Sequence, residues 1–71
     1  MNILVFKTNL RYKKHILSIV PYLAQMKEII RWNVDLHDRD KILRIESNSL
    51  SPRRIEETLT TAGYYCKELE D

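Results

Sequence analysis

The side chains that could do chemistry in this 71-residue sequence are few, and they fall in two places. Arg11-Tyr12-Lys13-Lys14-His15 sets a phenol and an imidazole three residues apart inside a basic run. Gly63-Tyr64-Tyr65-Cys66 sets two phenols beside the one thiol of the chain. His15 could serve as a single ligand for a borderline metal, but one histidine is not a site. The plainer reading is a surface histidine in the first turn of a basic helix. Cys66 reads, by strand alternation, as a buried structural thiol. Tyr12, Tyr64 and Tyr65 are either an aromatic binding patch or apolar filling at one end of the fold. His37 lies in a turn, at a different place from His15. Arg11, Lys13 and Lys14 could steer an acidic protein partner or form a solvated face. Two lysines at the start of a helix oppose its dipole, so stability does not explain their placement. No glycine-rich phosphate loop, Ser-His-Asp set or buried carboxylate pair can be read. The expectation is a non-enzyme without catalytic residues.

The elements that must position these groups follow from patterning. Ile3 to Phe6 is an unbroken apolar, β-branched and aromatic run, which predicts a central strand over residues 2–8. Ile16, Ile19, Val20 and Leu23 form one helical face and predict a helix over 13–26, kinked at Pro21. Ile30, Trp32, Val34 and Leu36 alternate with polar residues and predict a half-buried strand. Residues 37–40 are turn formers, and Lys41 to Glu46 completes a hairpin. Ser51-Pro52 marks a helix start and Gly63 its end, giving a helix over 52–62. Residues 64–69 predict a last strand, with Glu70-Asp71 as an acidic tail. The order β-α-β-β-α-β with right-handed crossovers is an α+β ferredoxin-like two-layer sandwich, two helices on one face of an antiparallel four-stranded sheet. The 8–15 loop, the start of the first helix and the Gly63-Tyr64 turn then meet at one end.

Composition bounds the rest. The chain is expected to be one domain, residues 1–71, with a thin core. One cysteine excludes an internal disulfide or an all-thiolate zinc site, and suits a reducing compartment. A net charge of +2 gives no case for nucleic acid or a membrane. Neither a spanning segment nor a secretory signal can be read. The expectation is a cytoplasmic protein. Strand one is apolar on both faces, which suggests a homodimer through the open face of the sheet.

Phe6-Lys7-Thr8-Asn9-Leu10 leads through Arg11-Tyr12-Lys13-Lys14-His15 into the first helix. Together with Trp32-Asn33-Val34-Asp35-Leu36, Lys41-Ile42-Leu43 and Thr61-Ala62-Gly63-Tyr64, this resembles the heavy-metal-associated domain family, which includes copper chaperones and the N-terminal domains of metal-transporting ATPases. The resemblance implies the ferredoxin-like fold and a Cys-x-x-Cys pair in the loop before helix one, holding Cu(I) or another soft or borderline ion. Here the aligned positions are Tyr12 and His15, and soft metals select thiolates. The resemblance therefore implies a degenerate metal motif with no cofactor expected and Cys66 as a neighbour. It also implies a non-catalytic role in protein interaction or metal homeostasis, with a metal-transporting ATPase domain or another acidic protein as partner. The alternative is an RNA-binding or small-ligand regulatory module of the same topology. RNA-recognition sheets stack bases on aromatics of the two central strands, and here those strands offer only Phe6.

Overall fold

The computed structural model describes residues 2–69. Its elements are β1 (Asn2–Thr8), α1 (Lys13–Ala24), β2 (Ile29–Asp35), β3 (Ile42–Ser47), α2 (Pro52–Thr61) and β4 (Cys66–Glu68). The sheet order is β2-β3-β1-β4 with every pairing antiparallel. The expected ferredoxin-like sandwich is therefore the observed one, and β1 and β3 are its central strands. The predicted acidic tail, Glu70-Asp71, lies outside the described residues.

Alternation sends Leu4 and Phe6 of β1, and Leu43 and Ile45 of β3, to the helix side of the sheet. Ile19 and Leu23 of α1 and Ile55 and Leu59 of α2 meet them there, with Leu10, Met26, Leu50 and Cys66 closing the ends. Full burial of one such large apolar side chain contributes roughly 1.5–3 kcal/mol. α1 stays one helix through Pro21, because the proline sits on its exposed side, where water can take the carbonyl it leaves free. The helix ends at Ala24, two residues before the predicted stop, and Met26 packs from the following turn. Val20, predicted on the buried stripe, is 40% exposed, since Ile19 and Leu23 alone fill the interface with the sheet.

The bounds of three strands also differ from the sequence reading. In β2 a bulge between Ile29 and Arg31 makes Ile29 oppose Ser47 and Arg31 oppose Glu46, so Ile30 is the unpaired extra residue, 47% exposed. Ile29 takes the core position predicted for Ile30, and Leu36 falls in the turn. Lys41 belongs to that turn and not to β3, because it has φ +48. β4 runs over Cys66–Glu68 and begins later than the predicted residue 64, because the helix terminator uses Tyr64, while the Leu69 amide still donates to Val5 O at 2.8 Å. There Gly63 adopts φ +101, while its amide binds Thr60 O at 3.0 Å and the Tyr64 amide binds Leu59 O at 2.9 Å.

The open face of the sheet is more polar than expected. Ile3 and Val5 lie on it opposite Glu46 and Arg44, and Arg31 forms an ion pair with Glu46. Ile3 is 46% exposed there and Val5 is half-buried, set among the charges of Arg31, Arg44 and Glu46. Phe6 points into the core and is fully buried, so β1 and β3 present no aromatic on the open face for base stacking.

Candidate functional site: the loop from β1 into α1

The loop after β1 is pinned at both ends. The Thr8 amide donates to Asp40 O at 3.0 Å, and its hydroxyl donates to Lys41 O at 2.6 Å while accepting the Leu10 amide at 3.1 Å. Leu10 is fully buried and anchors the loop in the core. Asn9 Oδ1 accepts the Tyr65 amide at 2.8 Å, tying the loop to the segment before β4. These bonds fix the place from which α1 starts.

His15 is the centre of the site. Its Nδ1 accepts the Arg11 amide at 3.1 Å and the Tyr12 amide at 3.3 Å, so the imidazole folds back over the start of its own helix. The neutral ring then carries its proton on Nε2. A metal at Nε2 would require that proton to move to Nδ1, against two amide donors. The ring lies between two phenols, with centroids 5.2 Å from Tyr12 and 5.4 Å from Tyr64 in tilted arrangements. Ser18 Oγ donates to His15 O at 2.7 Å, so its 2.6 Å bond with Tyr64 is donated by the phenol. Lys14 Nζ sits 5.7 Å over the Tyr12 ring. Arg11, Tyr12, Lys13 and Lys14 are exposed, and among the described residues no ion pair engages the three cations.

The structure thus brings together Tyr12, His15 and Tyr64 in one aromatic stack and leaves Tyr65 out of it, half exposed. Cys66 opposes Thr8 across the β1–β4 pairing but is buried within the core cluster. Burial, with a smaller contribution from the nearby Glu56 carboxylate, pushes its thiol up to about 12. It stays protonated at neutral pH and is a poor soft ligand in that form. The turn holding His37 lies at the same end of the sheet as the loop, through the Thr8 bonds to Asp40 and Lys41. Among the described residues no group of three or more His, Cys, Asp or Glu side chains is placed to hold a metal ion. Sequence reasoning missed Asn9 and Ser18 as positioning residues. The signal for Ser18 was available: it stands one turn after His15 on the same helix face.

No protein-family model matches the chain, and no curated protein matches its sequence. Solved structures do match its fold. The yeast copper transporter domain CCC2A, solved in apo and Cu(I)-loaded states, superposes with a TM-score of 0.83 at 15% identity, covering 100% of this chain and 99% of that one. The N-terminal domain of PacS from Synechocystis PCC6803 gives 0.80 at 14% identity, covering 99% and 100%. The N-terminal domain of ZntA in its Zn(II) form gives 0.79 at 13% identity, covering 96% and 92%. The chain has the ferredoxin-like fold of these three domains over nearly its whole length.

Proposed function

We propose that this chain is a heavy-metal-associated domain in which the loop that holds metal in that family has become a protein-docking surface, in a role tied to metal homeostasis and not to catalysis. The observation that carries the reading is His15. Its Nδ1 lone pair is committed to the amides of Arg11 and Tyr12, its neighbour in the motif is a phenol, and the only thiol is buried. The loop therefore lacks two soft donors and keeps an aromatic stack beside Arg11, Lys13 and Lys14, which no ion pair engages among the described residues. A partner with an acidic surface, such as a metal-transporting ATPase domain, complements that surface.

Two experiments test the two halves. In a competition titration against a strong Cu(I) chelator the reduced protein is expected to release the metal, and Tyr12→Cys/His15→Cys to retain it. Stoichiometric retention by the wild type overturns the loss of the metal site. In a pull-down from the native source, Arg11→Glu/Lys13→Glu/Lys14→Glu is expected to lose a partner that moderate salt also weakens, because exposed charges are screened beyond ~8 Å at physiological ionic strength. Identical partner sets for the two folded proteins would return the three cations to a solubilising role.

A further inference from the structure

The two edges of the sheet are unequal. β4 offers three residues, whereas β2 offers seven, Ile29–Asp35, with no proline or glycine. Among the described residues the outer side of β2 faces no strand. Such an edge presents unpaired amides and carbonyls and accepts a further strand readily. Beside it runs a shallow notch of mixed character, where Leu23, Met26, Ile29 and Trp32 adjoin the Arg31 side of the strand. Trp32 and Val34 are only half buried at this edge.

We propose that β2 pairs antiparallel with β2 of a second copy of this chain, about a two-fold axis at Asn33, so that two four-stranded sheets become one. The argument is self-complementarity. With Asn33 opposite itself, Arg31 faces Asp35 of the second copy and Asp35 faces its Arg31, twice over by symmetry. Both residues lie on the open face, Arg31 in register with Glu46 and Asp35 with Ile42. On the other face Trp32 meets Val34 of the second copy, an aromatic and β-branched cross-strand pair. Moving the axis to Trp32 sets Arg31 against Asn33 and Asp35 against Ile29. Moving it to Val34 sets Arg31 against His37 and Asp35 against Asn33. Only the Asn33 axis joins the opposite charges.

Both charged groups have capacity left for this contact. The Arg31 side chain is 76% exposed although it pairs with Glu46, and a guanidinium carries five donors. Asp35 uses Oδ1 for the His37 and Asp38 amides, at 3.0 and 3.2 Å, which leaves Oδ2 for a guanidinium. The bulge at Ile30 twists the strand away and limits pairing to residues 31–35. So short a contact is smaller than the ~1,200 Å² of a standard stable interface. The dimer is therefore reversible and concentration-dependent.

Sedimentation velocity from micromolar to millimolar protein is expected to show a monomer–dimer equilibrium. Arg31→Glu and Asp35→Lys are each expected to weaken it about tenfold, by turning two attractive cross-strand pairs into repulsive ones. An equimolar mixture of the two variants regains association, because each then meets its opposite charge. Asn33→Cys is expected to oxidise to a covalent dimer, since facing Cα atoms of an antiparallel pair lie ~4.5–5.5 Å apart, within disulfide range. Ile3→Cys, exposed on the open face, is the collision control, and buried Cys66 does not compete. Far-UV circular dichroism checks that each variant is folded. A monomer at every concentration overturns the proposal. So does a dimer indifferent to Arg31→Glu, or cross-linking of Asn33→Cys no faster than the control.

Discussion

Tyr12→Asp is expected to stabilise the domain while removing its docking surface. Tyr12 is the N-cap of α1, with φ −124 and ψ 159, and its side chain makes no capping hydrogen bond. Asp, Asn, Ser and Thr are favoured there because a short side-chain oxygen accepts one of the free amides of the first turn, contributing ~1 kcal/mol. The first turn of α1 holds Lys13 and Lys14 and no acid, so a carboxylate adds ~0.3–1 kcal/mol against the helix dipole and the two ammonium groups. Against this stands the loss of the Tyr12 ring. It is 53% exposed, tilted against His15 at 5.2 Å and covered by Lys14 at 5.7 Å. Contacts of this kind at an exposed position are worth ~0.5–1 kcal/mol. The net gain is about 1 kcal/mol, which raises the melting temperature of a domain this small by about 4–8 °C. Thermal melts followed by far-UV circular dichroism measure it, with Tyr12→Phe as the variant that keeps the ring. A Tyr12→Asp protein that melts below the wild type would refute the reasoning. The exposed ring would then be holding the start of α1, and its presence would need no partner.

Three further outcomes follow from single residues. Ser47 is fully buried and its hydroxyl has no hydrogen-bond partner among the described residues, so Ser47→Ala should raise stability by about 1 kcal/mol in urea titrations. Gly63→Ala meets no atom within 4 Å of the new methyl, so its cost is purely the φ of +101, roughly 1–3 kcal/mol, with a matching fall in melting temperature. The Cys66 thiol titrates at about 12 when folded and near ~8.5 when unfolded, so between those values the unfolded chain binds fewer protons and stability falls as pH rises. Urea midpoints of the wild type should therefore drop more steeply above pH ~8.5 than those of Cys66→Val, and equal slopes would show that the thiol is not shielded.

The fold was legible because its signals are local. The apolar run at 3–6, the helix start at Ser51-Pro52 and the stop at Gly63 each state their element without reference to the rest of the chain. Ile30 was misread because a bulge is a property of two strands: the alternation in β2 is clean until Ile29 is set opposite Ser47. Val20 was misplaced for a related reason. A helical stripe names the residues that could be buried, and the sheet decides how many are. The candidate site was half legible. The residue types at 11–15 and 64–66 were visible, and so was the meeting of their segments. The backward fold of His15 onto its own amides was not, since it depends on a side-chain torsion. Nor was the separate fate of Tyr64 and Tyr65, which depends on where the helix terminator ends and β4 begins.

The strand order also fixes a sequence of events. β1 lies between β3 and β4, so one of its edges is met by residues 42–47 and the other, among the described residues, by 66–69. A nascent chain that has paired β1 with β3 still exposes the far edge of its most apolar strand. A short segment near the other end of the sequence covers it. Long-range strand pairing of this kind is slow relative to helix formation, and an open apolar edge is a site of misassembly while it lasts. Loss of β4 would therefore be expected to slow maturation and promote aggregation out of proportion to the few contacts that β4 makes.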